Sequence, residues 1–291
     1  MSRFTPYRNL STWRRVALSA WGPPMDPTAY GTLEIDCENA LAFVAQLRAE
    51  SGEKVTLSHL VGKAVALAIA SRPEVNGFVS RGTLYVRDTI DVFYQVSFFD
   101  EDVGKEQSSK VTSGDKSANL AGAKIREADK KSVVEIAKEL RERAQAIRLR
   151  GEAETAKSAN LMSKIPSRFV GFATRAGAYL TYDLGLDLRR FGLPLDAFGS
   201  CMVTNVGVFG LNVGHAPLLP FARVPLILTL GAVRDAAAVV NGAIVPRKTV
   251  SIGVAFDHRV MDGYHAGMMA KLFREIMADP LTALGPKTLA P

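Results

Sequence analysis

An apolar, strand-like run that ends in a histidine between two acids constrains this 291-residue chain more than any other feature. Residues 250–256 alternate as a buried β-strand does, and residues 257–263 (DHRVMDG) follow directly. A strand end holds a side chain rigidly, and imidazole is the side chain best suited to proton transfer near neutral pH. A lone histidine is more often a core residue that a neighbour satisfies. The flanking Asp257 and Asp262 and the turn at Gly263 nevertheless make His258 a candidate catalytic residue.

Helical and strand patterns follow one another without strict alternation, which predicts an α/β two-layer sandwich with a mixed sheet. The predicted elements are a strand at 31–36, helices at 38–50 (capped by Asp36) and from 56, strands at 83–86 and 90–99, a long loop or hairpin at 100–123, a helix at 129–147, strands at 202–206, 225–233, 243–246 and 249–256, and a last helix between Gly263 and Pro280. Residues 150–195 show no clear period, although 153–164 can prolong the preceding helix.

Composition limits the classes of function. The two cysteines, Cys37 and Cys201, are far apart in sequence, which argues against a disulfide framework and a cysteine metal site and favours a reducing, cytoplasmic compartment. The longest apolar run, 224–233, is too short to span a membrane. The net charge of +7 fits nucleic acid, an anionic substrate such as coenzyme A, or a basic surface. We favour the surface, and expect no nucleic-acid partner, because basic and aromatic residues do not cluster.

A second motif lies at residues 204–210 (TNVGVFG). Thr204 would end a strand, and an amide and a glycine turn follow it. A hydroxyl in that position can donate a hydrogen bond to an oxyanion. Taken alone, an ordinary strand terminus with turn residues is the better explanation of the same residues.

Together the two motifs resemble the catalytic domain of the 2-oxo acid dehydrogenase acyltransferases, the dihydrolipoamide acyltransferases, which share their fold with chloramphenicol acetyltransferase. Residues 257–263 fit the family's Asp-His-Arg-x-x-x-Gly signature at every position, and residues 204–210 fit its Ser/Thr-Asn-x-Gly-x-x-Gly stretch. Residues 63–68, 73–76 and 125–132 are similar to the family's lysine-alanine helix, Pro-Glu-x-Asn turn and helix entry. The resemblance covers most of residues 10–280.

This resemblance implies roles for individual residues. His258 would be the general base that takes a proton from an acceptor thiol, and the Thr204 hydroxyl would stabilise the oxyanion. Asp262 and Arg259 would hold the active-site loop in place. Either Arg14 or Arg15 would be the family's structural arginine near the N-terminus, and the sequence does not choose between them.

The resemblance also implies partners. In this family the active site lies between the subunits of a homotrimer. Acyl-CoA would enter the channel from one side, and a pantetheine- or lipoyl-like thiol from the other.

Several segments depart from the family pattern. We expect a single catalytic domain over 1–291, with no lipoyl domain, no subunit-binding domain and no covalently bound lipoyl, so that a lipoyl-bearing protein would have to act in trans. Residues 100–123 lack the family's Gly-Leu-x-x-Pro stretch, and residues 152–198 resemble an insertion near the active-site entrance. Residues 283–291 differ from the anchor that joins family trimers into cubic cores, which predicts a trimer without a large cage.

These observations support two hypotheses. The first is a free-standing acyltransferase that moves an acyl group between coenzyme A and a thiol. The second is a non-catalytic structural or regulatory subunit on the same trimeric scaffold. The departures at 100–123 and 152–198 support this alternative, while the intact His258, Asp262 and Thr204 argue against it, since a scaffold needs none of them. The sequence leaves the acyl group and the acceptor open.

Overall fold

The structure is a computed structural model that describes residues 26–98, 119–150, 172, 175–187, 196–240 and 242–285. In chain order its elements are β1 (Thr28–Asp36), α1 (Glu38–Ser51), α2 (Leu57–Ala70), a 3-10 turn (Pro73–Val75), β2 (Gly77–Ser80), β3 (Thr83–Val86), β4 (Val92–Phe98), β5 (Asn119–Ile125), α3 (Val133–Arg150), a π-helical turn (Tyr179–Asp183), β6 (Cys201–Asn205), a second 3-10 turn (Gly207–Phe209), β7 (Leu226–Leu230), β8 (Arg234–Val240), β9 (Ala243–Asp257), α4 (Gly263–Ala278) and α5 (Pro280–Leu284).

One seven-stranded sheet organises the chain. Its strand order is β1-β9-β7-β6-β4-β5, and β8 pairs with the N-terminal half of β9. The β4–β6 and β6–β7 pairs are parallel and the remaining pairs in this sheet are antiparallel, so the sheet is mixed. Strands β2 and β3 form a separate hairpin.

The helices and one face of the sheet enclose the main apolar core. Helices α1 to α4 all contribute buried side chains to it, and so do alternate residues of the central strands, among them Cys201 and Val203 of β6. The intervening Met202 belongs to a smaller apolar cluster on the opposite face, with Ile227 and Ala255. Because successive strand residues point to opposite faces, Thr204 lies on the side of the smaller cluster. The predicted α/β two-layer sandwich with a mixed sheet is confirmed.

Helix α2 begins where its sequence predicts. Thr56 is the N-cap, and its backbone N–H donates to His59 Nδ1 over 3.0 Å. Burial, aided by the charge of Arg48, lowers the pKa of His59 to about 4. The ring is therefore neutral near pH 7 and its nitrogen can accept that hydrogen bond.

Two features of the first half of the chain sharpen or change the predicted elements. Residues 119–123, predicted as part of a long loop or hairpin, form most of β5, which pairs with β4 residue by residue, so the hairpin alternative fits this part. Strand β5 has a glycine at position 122 because the Phe93 ring packs where a side chain would be. Helix α1 has Cys37 as its N-cap, although the Asp36 carboxylate still accepts from the Glu38 N–H over 3.1 Å.

Other elements also differ from the predictions. Helix α3 begins at Val133, four residues after the predicted start, because Ser132 and Glu135 form a capping pair in which each side chain accepts from the other's backbone N–H. Strand β9 runs without a break through Pro246, which pairs with Ala237 of β8. The alanine-rich strand β8 was not predicted.

Some predictions concern residues that the structure does not describe. Arg14, Arg15 and the possible helix at 153–164 lie outside the described residues.

Within the described ranges, no helix is long and apolar enough to cross a membrane, and no group of three His, Cys, Asp or Glu side chains is placed to hold a metal ion.

Two helical glycines predict opposite stability effects. A Cβ on Gly62 of α2 would overlap the buried Tyr94 ring, so Gly62→Ala should destabilise the fold by about 1–3 kcal/mol. A Cβ on Gly267, on the exposed face of α4, would have no atom within 4 Å, so Gly267→Ala should stabilise the fold by up to about 1 kcal/mol. Urea unfolding followed by circular dichroism measures both, and equal effects of the two substitutions would contradict the described packing.

Candidate functional site

His258 is the first residue after β9. Its backbone N–H donates to the Pro27 carbonyl over 2.9 Å, and the preceding Asp257 N–H donates to Pro225 over 2.9 Å. The imidazole is exposed, and it stacks on Phe256 with the ring centroids 6.1 Å apart and the planes at 28°. The backbone at this position is thus held on two sides while the ring remains open to a substrate.

Asp257 fixes the turn that follows. The residue is 7% exposed, and its carboxylate pairs with the Arg259 guanidinium, at 2.9 Å from Nε and 2.6 Å from an Nη atom. Its carbonyl accepts from the N–H groups of Val260 and Met261 over 2.9 and 3.1 Å. The hydrogen bonds and charge of Asp257 raise the pKa of Arg259, so the guanidinium stays charged. Arg259 thus forms its ion pair with Asp257 and not with Asp262.

Asp262 is the N-cap of α4. One carboxylate oxygen accepts from the backbone N–H groups of Tyr264 and His265 over 2.9 and 3.1 Å, and it lies 2.8 Å from His265 Nδ1. These hydrogen bonds, those from His265 above all, lower the pKa of Asp262. An ionised N-cap also interacts favourably with the helix dipole. The arrangement suits a residue that holds the loop in place.

His265 is a residue of this loop that the sequence analysis missed. Its Nε2 lies 3.9 Å from the Glu74 carboxylate, which belongs to the Pro-Glu-x-Asn turn. His265 therefore links that turn to the N-terminus of α4. Sequence spacing could have pointed to His265 as a capping residue. His59 and His265 each lie three residues after an N-cap, at a position where glutamate and glutamine are usual.

The second motif forms a tight turn after β6. The Asn205 side chain accepts from the Gly207 N–H over 2.9 Å, and a Cβ on Gly207 would come within 2.6 Å of backbone atoms of Gly231 and Ala232. Gly210 has a φ of 79°, in the left-handed region that favours glycine. Close backbone packing at Gly207 and backbone conformation at Gly210 thus explain why the motif has glycines there. The turn also fixes the position of Thr204, which is partly exposed.

The strand registers place Thr204 and His258 far apart in one chain. Thr204 pairs with Thr229 of β7, and Thr229 pairs with Gly253 of β9. Because β9 runs antiparallel to β6 and β7, His258 lies five residues beyond this row at the opposite end of the sheet, about 17 Å along the strand direction. With two strand spacings added, the separation is about 20 Å. A single chain does not bring the two groups together.

A cavity of about 400 Å³ opens beside Asp257 and Arg259. Phe78 and Val79 of β2 and the side chain of Arg223 form part of its wall. The described part of the predicted insertion supports that wall: Asp183 accepts from Arg223 over 2.8 Å and from Ser80 over 2.7 Å, and the Tyr182 ring packs on Phe78. A cavity of this volume is large enough to hold part of a small-molecule substrate.

Comparisons with known proteins show which part of the chain carries the family resemblance. Residues 197–285 match the sequence model of the 2-oxoacid dehydrogenases acyltransferase catalytic domain, and this stretch contains Thr204, His258 and Asp262. The resemblance to the 2-oxo acid dehydrogenase acyltransferases is confirmed.

Curated relatives of the acyltransferase family match over different lengths. A probable dihydrolipoyllysine-residue succinyltransferase component from Schizosaccharomyces pombe is 31% identical over 105 residues, 35% of this chain and 22% of the relative. The acetyltransferase component of the Bacillus subtilis pyruvate dehydrogenase complex is 25% identical over 252 residues, 85% of this chain and 44% of the relative. The chain therefore spans less than half the length of either protein.

A solved acyltransferase structure has the same fold. The dihydrolipoamide acetyltransferase of Azotobacter vinelandii aligns with a TM-score of 0.60 at 19% identity, over 90% of this chain and 85% of that one. The predicted chloramphenicol acetyltransferase-like fold is confirmed through this likeness.

The role of Asp262 as a helix cap predicts a specific dependence of stability on pH. Because its folded pKa is lower than that of the unfolded chain, its ionised form stabilises the fold above about pH 4, and this contribution is lost as the pH falls through the folded pKa. Asp262→Ala should lower the melting temperature at pH 7, and the gap to wild type should shrink below pH 4.

Asp262→Asn is the matched control, since asparagine caps helices as well as aspartate does and does not titrate. It should melt closer to wild type than Asp262→Ala at pH 7. Thermal unfolding between pH 7 and pH 3 measures all three proteins. A gap between wild type and Asp262→Ala that stays constant over this range would contradict the role assigned to the carboxylate.

Proposed function

We propose that this protein transfers an acyl group between coenzyme A and a thiol of the dihydrolipoamide type. The observation that carries the proposal is the exposed His258, held at the end of β9 within the residues that match the acyltransferase catalytic domain. The relatives are named as acyltransferase components of 2-oxo acid dehydrogenase complexes, which supports this reaction class.

In the proposed mechanism, His258 removes the proton from the acceptor thiol. The resulting thiolate attacks the thioester carbonyl of acyl-CoA, and the tetrahedral intermediate carries an oxyanion. The Thr204 hydroxyl donates a hydrogen bond to that oxyanion. Collapse of the intermediate breaks the bond to the coenzyme A sulfur, which takes the proton back from the imidazolium. The Azotobacter vinelandii structure belongs to an investigation of a serine, a histidine and an asparagine in that enzyme's catalytic mechanism. These side-chain types are close to those of Thr204, His258 and Asp262.

The proposed reaction requires at least two copies of the chain. Thr204 and His258 lie at opposite ends of the sheet, so each site would combine the histidine of one subunit with the threonine of another. The surface next to Thr204 fits a subunit interface, because four large apolar side chains in 208–213 are exposed: Val208 (53%), Phe209 (47%), Leu211 (51%) and Val213 (43%). We propose a homotrimer, as the family resemblance implies.

Other parts of the proposal concern the setting of the reaction. A lipoyl-bearing protein acting in trans is the proposed source of the acceptor thiol. The described Cys37 and Cys201 are both free and buried, which is compatible with a cytoplasmic location. That location, the single domain over 1–291 and the insertion at 152–198 stay predictions.

The proposal predicts that His258→Ala abolishes transfer while the oligomer persists. Removing a general base should reduce kcat by about 10²–10⁴-fold. Purified protein is incubated with several acyl-CoA donors, and release of free coenzyme A is followed with and without dihydrolipoamide. Gel filtration confirms the assembly of the variant.

Two results would contradict the proposal. Equal activity of wild type and His258→Ala would remove the histidine from the mechanism. No transfer by wild type with any donor, despite an intact oligomer, would favour the non-catalytic structural or regulatory subunit.

A further inference from the structure

A second cavity, of about 140 Å³, lies between the sheet and helices α2 and α4. We call it the helix-layer cavity. Its walls are almost entirely hydrocarbon, from Val65 and Ala68 of α2, Ala270 and Phe273 of α4, and Leu228 and Phe256 of the sheet. Among the described residues that line it, Thr32 alone has a polar side chain, and its hydroxyl lies 3.2 Å from His215 Nε2. The walls therefore offer little to a polar ligand.

The helix-layer cavity adjoins the proposed catalytic histidine. Phe256 lines the cavity, and its ring also stacks on the His258 imidazole. Met261, in the turn after His258, lines the cavity as well. Methionine side chains are unbranched and adapt readily to neighbouring groups. A chain attached to a carbonyl beside His258 would thus meet Phe256 and Met261 first.

Size and chemistry define the group that this cavity would take. An apolar cavity of about 150 Å³ stays dry and accommodates a molecule the size of benzene, so about six carbon atoms fit here. A carboxylate placed among these side chains would lose its hydration without gaining a partner. The cavity therefore suits a short hydrocarbon chain and disfavours a dicarboxylic acyl group.

We propose that the helix-layer cavity binds the hydrocarbon tail of the acyl thioester, which makes medium-length apolar acyl groups the preferred substrates. This inference rests on the proposed acyltransferase function and adds the substrate class to it. Each buried methylene should strengthen binding about fourfold, until the cavity is full at about six carbons.

Binding of S-alkyl coenzyme A thioethers tests the inference without any transfer step. Isothermal titration calorimetry with the ethyl, butyl, hexyl and octyl compounds should give affinities that rise steeply to hexyl and then level off. Ala270→Leu, which places a larger side chain into the cavity, should reduce hexyl binding to the level of ethyl binding and leave ethyl binding unchanged. Ala270→Val should give an intermediate result.

Lys271→Leu is the matched control, because it adds a leucine at the next, exposed position of α4. It should keep the full dependence on chain length, and melting temperatures show whether each variant is folded. Affinities that do not change with chain length in wild type, or the same loss in Ala270→Leu and Lys271→Leu, would overturn the cavity assignment while the acyltransferase proposal stands. Failure of every thioether to bind would contradict the coenzyme A donor, and this inference with it.

Discussion

Strand β9 is hydrogen-bonded to three other strands, and this pairing determines where each candidate residue lies. Its C-terminal half pairs with β1 on one side and β7 on the other, while its N-terminal half pairs with β8. A shift of one residue in either register would move its apolar side chains from the core to the opposite face. The packing of the main core therefore fixes the position of His258. The Asp257–Arg259 pair and the Asp262 cap then hold the turn that follows the strand.

The same register separates the two halves of the proposed site. Thr204 is the next-to-last residue of β6, which runs antiparallel to β9, so the fold places Thr204 and His258 at opposite ends of the sheet. A closed ring of identical subunits joins different surfaces of neighbouring copies, and it can unite these ends at every interface. Assembly would then complete the active site, and it would also cover the apolar residues exposed beside Thr204.

Much of this arrangement was predictable from sequence because its signals are local. The strand at 250–256 and the helix between Gly263 and Pro280 each depend on neighbouring residues, and both were predicted correctly. The turn predicted at Gly263 instead lies at 258–260, and Gly263 is the first residue of α4. The alanine-rich strand β8 was missed, and residues 119–123 were left within a loop or hairpin, because such sequences suit a sheet only through their partners. Gly122 of β5, for example, leaves room for Phe93, which is distant in sequence. The contact of His265 with Glu74 also depends on tertiary packing, which no spacing rule reveals.

The central claim is that each active site takes His258 from one subunit and Thr204 from another, and subunit mixing tests it most directly. His258→Ala and Thr204→Val proteins, each impaired alone, are co-expressed with different tags, and mixed trimers are isolated through both tags. If the sites form between subunits, the mixed trimers should regain about one third of the wild-type activity, since one interface in each ring pairs an intact histidine with an intact threonine. Mixed trimers no more active than their parents would contradict the account.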